Sequence, residues 1–295
     1  MKKIICSFAS TQFAETLSRL SHQIAQMSFF DDTHLLDETR LDPTFRRRFD
    51  AALTIGSRGY GYWVWKPYII SQILDGLSAG DTLLYVDAGC HINREGKSRL
   101  ITYYGLLEKS PCGVLAFRLP ADLYSYGLLG RHVRVANYFL ERRWTKGDLL
   151  DYFRVRDSLL ITETPQIQSG VILIRKCEES SALVSKWLSV YYDHFHLVDD
   201  GPSSSPNLPG FIENRHDQSV FSLLCKMAHA TLLSTDEVHD APAIIHNHPI
   251  LAIRDIGGRM PYKSFTLLRY TRMLKSPMLV LGRSVSSPSP KELIS

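Results

Sequence analysis

An α/β domain built on a mostly parallel sheet flanked by helices is the fold class this chain predicts, and three features carry the prediction. Short apolar, β-rich runs recur at residues 3–9, 82–86, 113–117 and 170–174. Stretches with apolar residues at helical spacing follow several of them. The alternation extends from residue 3 to about residue 250, the order expected of strand–helix units in a parallel sheet. Ligand sites in such sheets lie beyond the carboxyl ends of the strands. The 295 residues, 44% of them hydrophobic and 22% charged, suffice for a buried core and exclude a disordered or collagen-like chain. The 34 Lys and Arg against 30 Asp and Glu leave +4, too mild for a nucleic-acid binder.

Residues 3–9 read as a strand that breaks at Ser10 and Thr11, and Phe13, Leu17, Leu20 and Ile24 then mark a helix. A charged stretch, 31–50, follows. Residues 56–67 are rich in glycine and aromatics and suggest a loop, after which Pro67 suits the first turn of a helix through Leu77. Gly80 and Asp81 separate that helix from a buried strand, 82–86, which delivers Asp87, Ala88 and Gly89 at its end. Later come the strands 113–117 and 170–174, a helix from about Glu178 to Tyr192, and a loop at 199–210 marked by Pro202, Pro206 and Pro209. The run Glu213 to Ser219 opens a helix with apolar Val220, Phe221, Leu224 and Met227. Residues 243–248 form the last strand-like piece, and 284–295 are a Ser/Pro-rich tail.

The five cysteines, Cys6, Cys90, Cys112, Cys177 and Cys225, form no CxxC pair and no disulfide framework, which favours a reducing compartment. Lys2 and Lys3 before a short apolar run resemble the start of a signal peptide, but the run ends at Ser10. No apolar stretch of membrane-spanning length occurs. The expected location is therefore cytoplasmic, at most peripheral at the inner face of a membrane. The segment 262–280 mixes Lys263, Arg269, Arg272 and Lys275 with Phe265, Leu267 and Leu268. It reads either as a helix on an anionic bilayer or as a closing helix with a solvated basic face.

Asp87 stands where a buried strand opens into a turn, and a carboxylate there either holds a divalent cation against a diphosphate or caps the turn. Lys66 and Arg58 flank Tyr60, Tyr62, Trp63 and Trp65, which offer phosphate neutralisation beside either a stacking surface or core-packed rings. His216, Asp217 and Gln218 lie at a helix start, where the acid serves as an N-cap or as site chemistry. His246 and His248, two apart on a strand, would share a face as metal ligands, or else are polar residues of a turn before Pro249. No GxGxxG follows the first strand, and no GxSxG occurs, which disfavours a dinucleotide oxidoreductase and a serine hydrolase.

The run Leu84, Tyr85, Val86, Asp87, Ala88, Gly89, preceded by Lys66 and Pro67 on a helix, resembles the GT-A glycosyltransferases, closest to family 8-type and Och1-like enzymes. Their apolar strand ends in Asp-x-Asp; here Gly89 replaces the second acid. Asp217 and Gln218 are similar to the first two positions of the family's Asp-Gln-Asp, and Gln168, Ser169 and Gly170 resemble its Asn-Ser-Gly strand. The resemblance runs from residue 3 to about 250. It implies a GT-A-like (Rossmann-like) domain over 1–283, with a nucleotide-sugar half of about 1–118, an acceptor half of about 119–260 and a closing segment of about 261–283.

It further implies transfer of a sugar from a nucleotide-sugar donor to a hydroxyl of a glycan or lipid-linked acceptor, with retention, as in polysaccharide biosynthesis. Asp217 and Gln218 would approach the transferred sugar, with Asp217 as base if the reaction inverts. Lys66, Arg58, Asp87, Ala88, Gly89, Gln168, Ser169, Gly170, His216 and, at the nucleotide base, Ser7 would line the donor. A Mn²⁺ or Mg²⁺ ion would sit at Asp87 with His246 or His248. A sugar-nucleotide hydrolase and a non-catalytic nucleotide-sugar-binding protein are the alternatives.

Overall fold

The computed structural model describes residues 1–126, 132–238 and 247–255. Its central sheet is made of β1 (Lys3–Phe8), β2 (Asp32–Leu36), β3 (Thr82–Val86), β5 (Val114–Arg118), β8 (Ile167–Arg175) and β9 (Thr231–Ser234). These six strands lie in the order β2-β1-β3-β8-β5-β9. Five run one way. β8 alone is antiparallel to its neighbours β3 and β5. Two small two-stranded sheets pair β4 (His91–Ile92) with β10 (Ile250–Leu251), and β6 (Leu123–Tyr126) with β7 (His132–Val135).

Both faces of the central sheet are buried, which is why its strands read as continuous apolar runs rather than alternating ones. Successive side chains go to opposite sides: Ile4, Cys6, Phe8, Leu83, Tyr85, Ile172 and Ile174 join one core, and Ile5, Leu84, Val86, Leu115, Phe117, Val171 and Leu173 the other. The first core is covered by α4 (Trp65–Asp75), α9 (Glu178–Asp193) and α10 (Asp217–Met227), through Ile70, Leu74, Trp187, Val190 and Phe221. The other lies under α1 (Ala14–Met27) and α5 (Lys97–Glu108), through Leu20, Ile24, Leu100 and Tyr103. Shorter helices are α2 (Pro43–Arg48), α6 (Glu141–Trp144), α7 (Gly147–Tyr152) and α8 (Leu159–Thr162); a four-residue turn, α3 (Gly59–Tyr62), precedes α4.

The expected α/β class is observed, with four of the predicted strands and the helices at 178–192 and 217–227 within a few residues of their places. The charged stretch 31–50 holds a strand and a short helix that no periodicity announces. The helix at Pro67 starts two residues earlier and stops at Asp75 with Gly76 as its cap. Residues 199–210 form the exposed loop expected.

One compact unit comprises Met1–Tyr124 and Arg134–Arg259, and its sheet takes strands from both expected halves. A second comprises Ser125–Val133 and Met260–Ser295. The expected closing segment 261–283, the basic segment 262–280, the tail 284–295 and residues 243–246 of the last strand lie outside the described residues.

Candidate active site

The topology explains where the site forms. β3 ends at Val86, and the antiparallel β8 begins beside that end, so that Val86 pairs with Val171 and the Asp87 N–H donates to the Gly170 carbonyl at 2.8 Å. α4 and α10 each lead into a strand of the parallel set, β3 and β9, so both helices begin at the carboxyl end of the sheet. Lys66, in the first turn of α4, and Asp217, the first residue of α10, therefore meet there.

The Lys66 ammonium is the hub. Its Nζ lies 2.6 Å from Asp217 Oδ2, 3.2 Å from Asp87 Oδ1, 3.2 Å from the Ser169 carbonyl and 3.3 Å from Ser169 Oγ. Ser169 Oγ donates in turn to Asp217 Oδ2 at 2.7 Å, and the Tyr85 hydroxyl donates to Asp87 Oδ1 at 2.6 Å. The Lys66 side chain is 2% exposed and that of Asp217 6%, while Asp87 is 44% exposed. Burial pulls the Lys66 pKa down, but the carboxylates of Asp217 and Asp87 outweigh it and the net direction is up. The Tyr85 phenol is held protonated by burial, reinforced by Asp87.

Lys66, expected as a donor contact, directs its ammonium at protein oxygens and positions two acids. A Cβ at Gly170 would lie 2.9 Å from Asp87 Oδ2, so glycine lets that carboxylate keep its orientation. Asp87 Oδ2 takes no hydrogen bond within this cluster, and the Asp87 side chain is exposed.

Gln218 is held by a relay of amides. Buried Glu141 accepts from Gln166 Nε2 at 2.9 Å, and a carboxylate can only accept. Gln166 Oε1 therefore faces away and accepts from Gln218 Nε2 at 2.7 Å, which leaves the carbonyl oxygen of Gln218 as its free end. Glu141 also accepts from Thr145 Oγ1, Ser222 Oγ and Lys226 Nζ, so its charge is fully compensated. Nothing in the sequence signals this: Glu141 lies beside Arg142 and Arg143 and reads as a surface residue.

His216 precedes Asp217 with a φ of 53°, a strained conformation for a residue with a side chain. Its Nδ1–H donates to the Val198 carbonyl at 2.6 Å, and its ring stacks on Trp63 at 5.6 Å. Burial pushes its pKa down. The turn leading to Trp63 is left-handed throughout, with positive φ at Gly59, Tyr60, Gly61, Tyr62 and Trp63. It is fastened by Trp65 Nε1 on the Gly59 carbonyl and by the Tyr191 hydroxyl on the Tyr62 carbonyl. Trp65 belongs to the core, stacked on Phe8 at 4.1 Å, whereas Trp63 is only half-buried.

The remaining predicted residues divide. Buried Ser7 Oγ and Gln168 Nε2 have no hydrogen-bond partner, and His216 Nε2 faces Asp200 Oδ1 at 3.6 Å. Buried polar atoms of this kind call for a ligand or water. Arg58 is engaged by Asp200 at 2.8 Å and Glu213 at 3.1 Å. The carbonyls of Ala88 and Cys90 accept from Arg19, whose guanidinium also pairs with Asp255 at 3.1 Å; His91 donates to the same acid at 2.9 Å. This clamp on the loop after β3 has no signal in the sequence.

The described residues do not fit a resident divalent cation. Gly89 has no room for an acid, since a Cβ there would lie 2.9 Å from the Arg254 Cα, and no group of three or more potential ligands is found among the described residues. His248 is buried with its Nδ1 free of any hydrogen-bond partner, and its carbonyl accepts from Asn93 on the loop after β4; His246 lies outside the described residues.

No protein-family profile matches this chain, and no curated protein does. Similar solved structures include a glycosyltransferase involved in glycosylation of the major capsid of PBCV-1, at 10% identity and a TM-score of 0.42, covering 91% of this chain and 99% of that one. The galactosyltransferase LgtC with donor and acceptor sugar analogs has 14% identity and a TM-score of 0.42, over 91% and 95% of the two chains. Mouse xyloside xylosyltransferase 1 has 10% identity and a TM-score of 0.41, over 88% and 99%. At these values the activity has to be argued from the side chains.

Proposed function

We propose that this chain is a glycosyltransferase whose nucleotide-sugar donor binds at the junction of β3, β8, α4 and α10. One observation carries the reading: segments as distant as Lys66, Asp87, Ser169 and Asp217, each matched to the same family pattern, converge on a single ammonium. The unpartnered buried atoms of Ser7 and Gln168 add polar positions for the donor.

In the reaction the bond from the anomeric carbon to the diphosphate breaks, the acceptor hydroxyl bonds to that carbon, and the hydroxyl proton leaves on the diphosphate. Asp87 Oδ2 orients the sugar by accepting from its hydroxyls. The Gln218 carbonyl, fixed through Gln166 and Glu141, faces the positive charge that develops at the anomeric carbon, a preorganised electrostatic role. Asp217 Oδ2 already accepts from both Lys66 and Ser169, which favours retention with Gln218 over inversion with Asp217 as a mobile base. A divalent cation, which the family pattern implies, has Asp87 as its one described candidate ligand within the cluster. The acceptor is a glycan or lipid-linked saccharide hydroxyl. No helix among the described residues is long and apolar enough to cross a membrane.

The test is a panel of sugar nucleotides assayed with and without saccharide acceptors. Acceptor-dependent release of nucleoside diphosphate is expected. Release of equal rate without acceptor would make the chain a hydrolase, and binding without turnover would make it a sugar-nucleotide-binding protein.

A further inference from the structure

One ammonium faces two carboxylates, so Lys66, Asp87 and Asp217 together are net negative, yet the donor's diphosphate is multiply anionic. A compensating cation is required. The other cations described around the cluster are committed: Arg58 to Asp200 and Glu213, Lys146 to Asp199, and Arg19 to Asp255 and two carbonyls. Arg215 is stacked on Trp144 with its guanidinium carbon 3.7 Å from the ring centroid.

Arg254 is different. Its backbone crosses directly over Gly89, with Cα 2.9 Å and the carbonyl carbon 3.2 Å from where a Cβ would be, and the Asp255 N–H donates to the Gly89 carbonyl at 2.9 Å. The missing acid is therefore not merely lost; its space is filled by residue 254. Arg254 is exposed, and among the described residues no carboxylate pairs with it. Its charge also reaches Arg215, two residues before Asp217, whose pKa is lowered to about 10 by burial first and Arg254 next. Arg254 thus lies directly over the loop after β3. It holds this place with a φ of 56°, a conformation unusual for arginine.

We infer that Arg254 supplies the positive charge for the donor's diphosphate where an Asp-x-Asp site would use a metal ion, so that a nucleoside diphosphate binds this chain without a divalent cation. The guanidinium presents paired N–H donors to phosphate oxygens, a geometry suited to bidentate contact. Asp87, relieved of metal ligation, accepts from sugar hydroxyls. The inference rests on the donor site proposed above.

The test titrates UDP, GDP, ADP and dTDP into the full chain by calorimetry, in EDTA and in Mn²⁺. At least one diphosphate is expected to bind with the same affinity in both. Arg254→Gln should weaken it about tenfold or more, Arg254→Lys less, with the thermal midpoint of the free protein unchanged in both variants. Binding that needs Mn²⁺, or that is untouched in Arg254→Gln, overturns the inference and leaves the donor site standing. Failure of every diphosphate to bind in either buffer overturns the donor site and the inference together.

Discussion

Lys66 directs its N–H groups at Asp217, Asp87 and Ser169, and its removal would leave two carboxylates facing each other beside a buried void. Breaking such a pair from one side costs about 3–5 kcal/mol, because the surviving charge has lost its compensation. Lys66→Met is therefore expected to lower unfolding free energy by about that amount in urea titrations. The double variant Lys66→Met/Asp217→Leu should recover part of it. A single variant as stable as wild type would remove Lys66 from its organising role.

His216 gives a pH signature. Its folded pKa lies below the ordinary value, so below about pH 6.5 the unfolded chain binds more protons than the folded one, and stability falls as pH falls through that window. Half-buried His91, lowered first by burial and then by Arg19, adds the same sign. Unfolding free energy should be level between about pH 7 and about pH 8 and decline towards about pH 5.5, less steeply in His216→Asn. An unchanged slope in the variant would contradict this reading.

At the scale of single elements, β8 and α10 carry opposite kinds of information. β8 is readable, because Val171, Ile172, Leu173 and Ile174 are apolar on both faces and Gly170 precedes them. α10 is readable from Val220, Phe221 and Leu224, and from the acid at its start. The edge strand β2 is not: its residues are half-buried or exposed and include Asp32, Thr33 and His34, so neither period nor composition marks it. Glu141 is equally hidden, since a buried carboxylate is tolerated only by partners 4 to 85 residues away in sequence.

That relay can be tested. Glu141→Gln can donate as well as accept, so Gln166 and Gln218 lose their fixed amide orientation. Turnover should fall about tenfold with the donor KM nearly unchanged, the pattern of an interaction made in the transition state. A change in KM alone would contradict it. Gly170→Ala makes the complementary case: its Cβ meets only the end of the Asp87 side chain, so the carboxylate rotates away and donor affinity falls with little loss of stability. Wild-type donor affinity would mean that Asp87 tolerates the displacement.

For the whole molecule, the expected architecture and the convergence of the site have one origin. Parallel strands with helices between them bring the ends of β3 and the starts of α4 and α10 to one edge, so residues named from local patterns alone are bound to be neighbours if the topology is right. The details of charge are not accessible in that way. Whether Lys66 faces a ligand or two acids depends on the antiparallel entry of β8, which places Ser169 beside it, and no local pattern specifies that direction. Likewise Gly89 reads as a lost acid in sequence, and only the crossing of 254–255 shows what fills the space.

Asp87 is the exposed acid of the cluster and the group on which the proposed transfer depends most. The most direct measurement is the rate of nucleoside diphosphate release from the preferred sugar nucleotide by Asp87→Asn, with the thermal midpoint as a check on folding. A well-folded variant at least about a hundredfold slower than wild type is predicted, as expected when a charged contact to the reacting sugar is lost. A folded Asp87→Asn protein with wild-type turnover would contradict it.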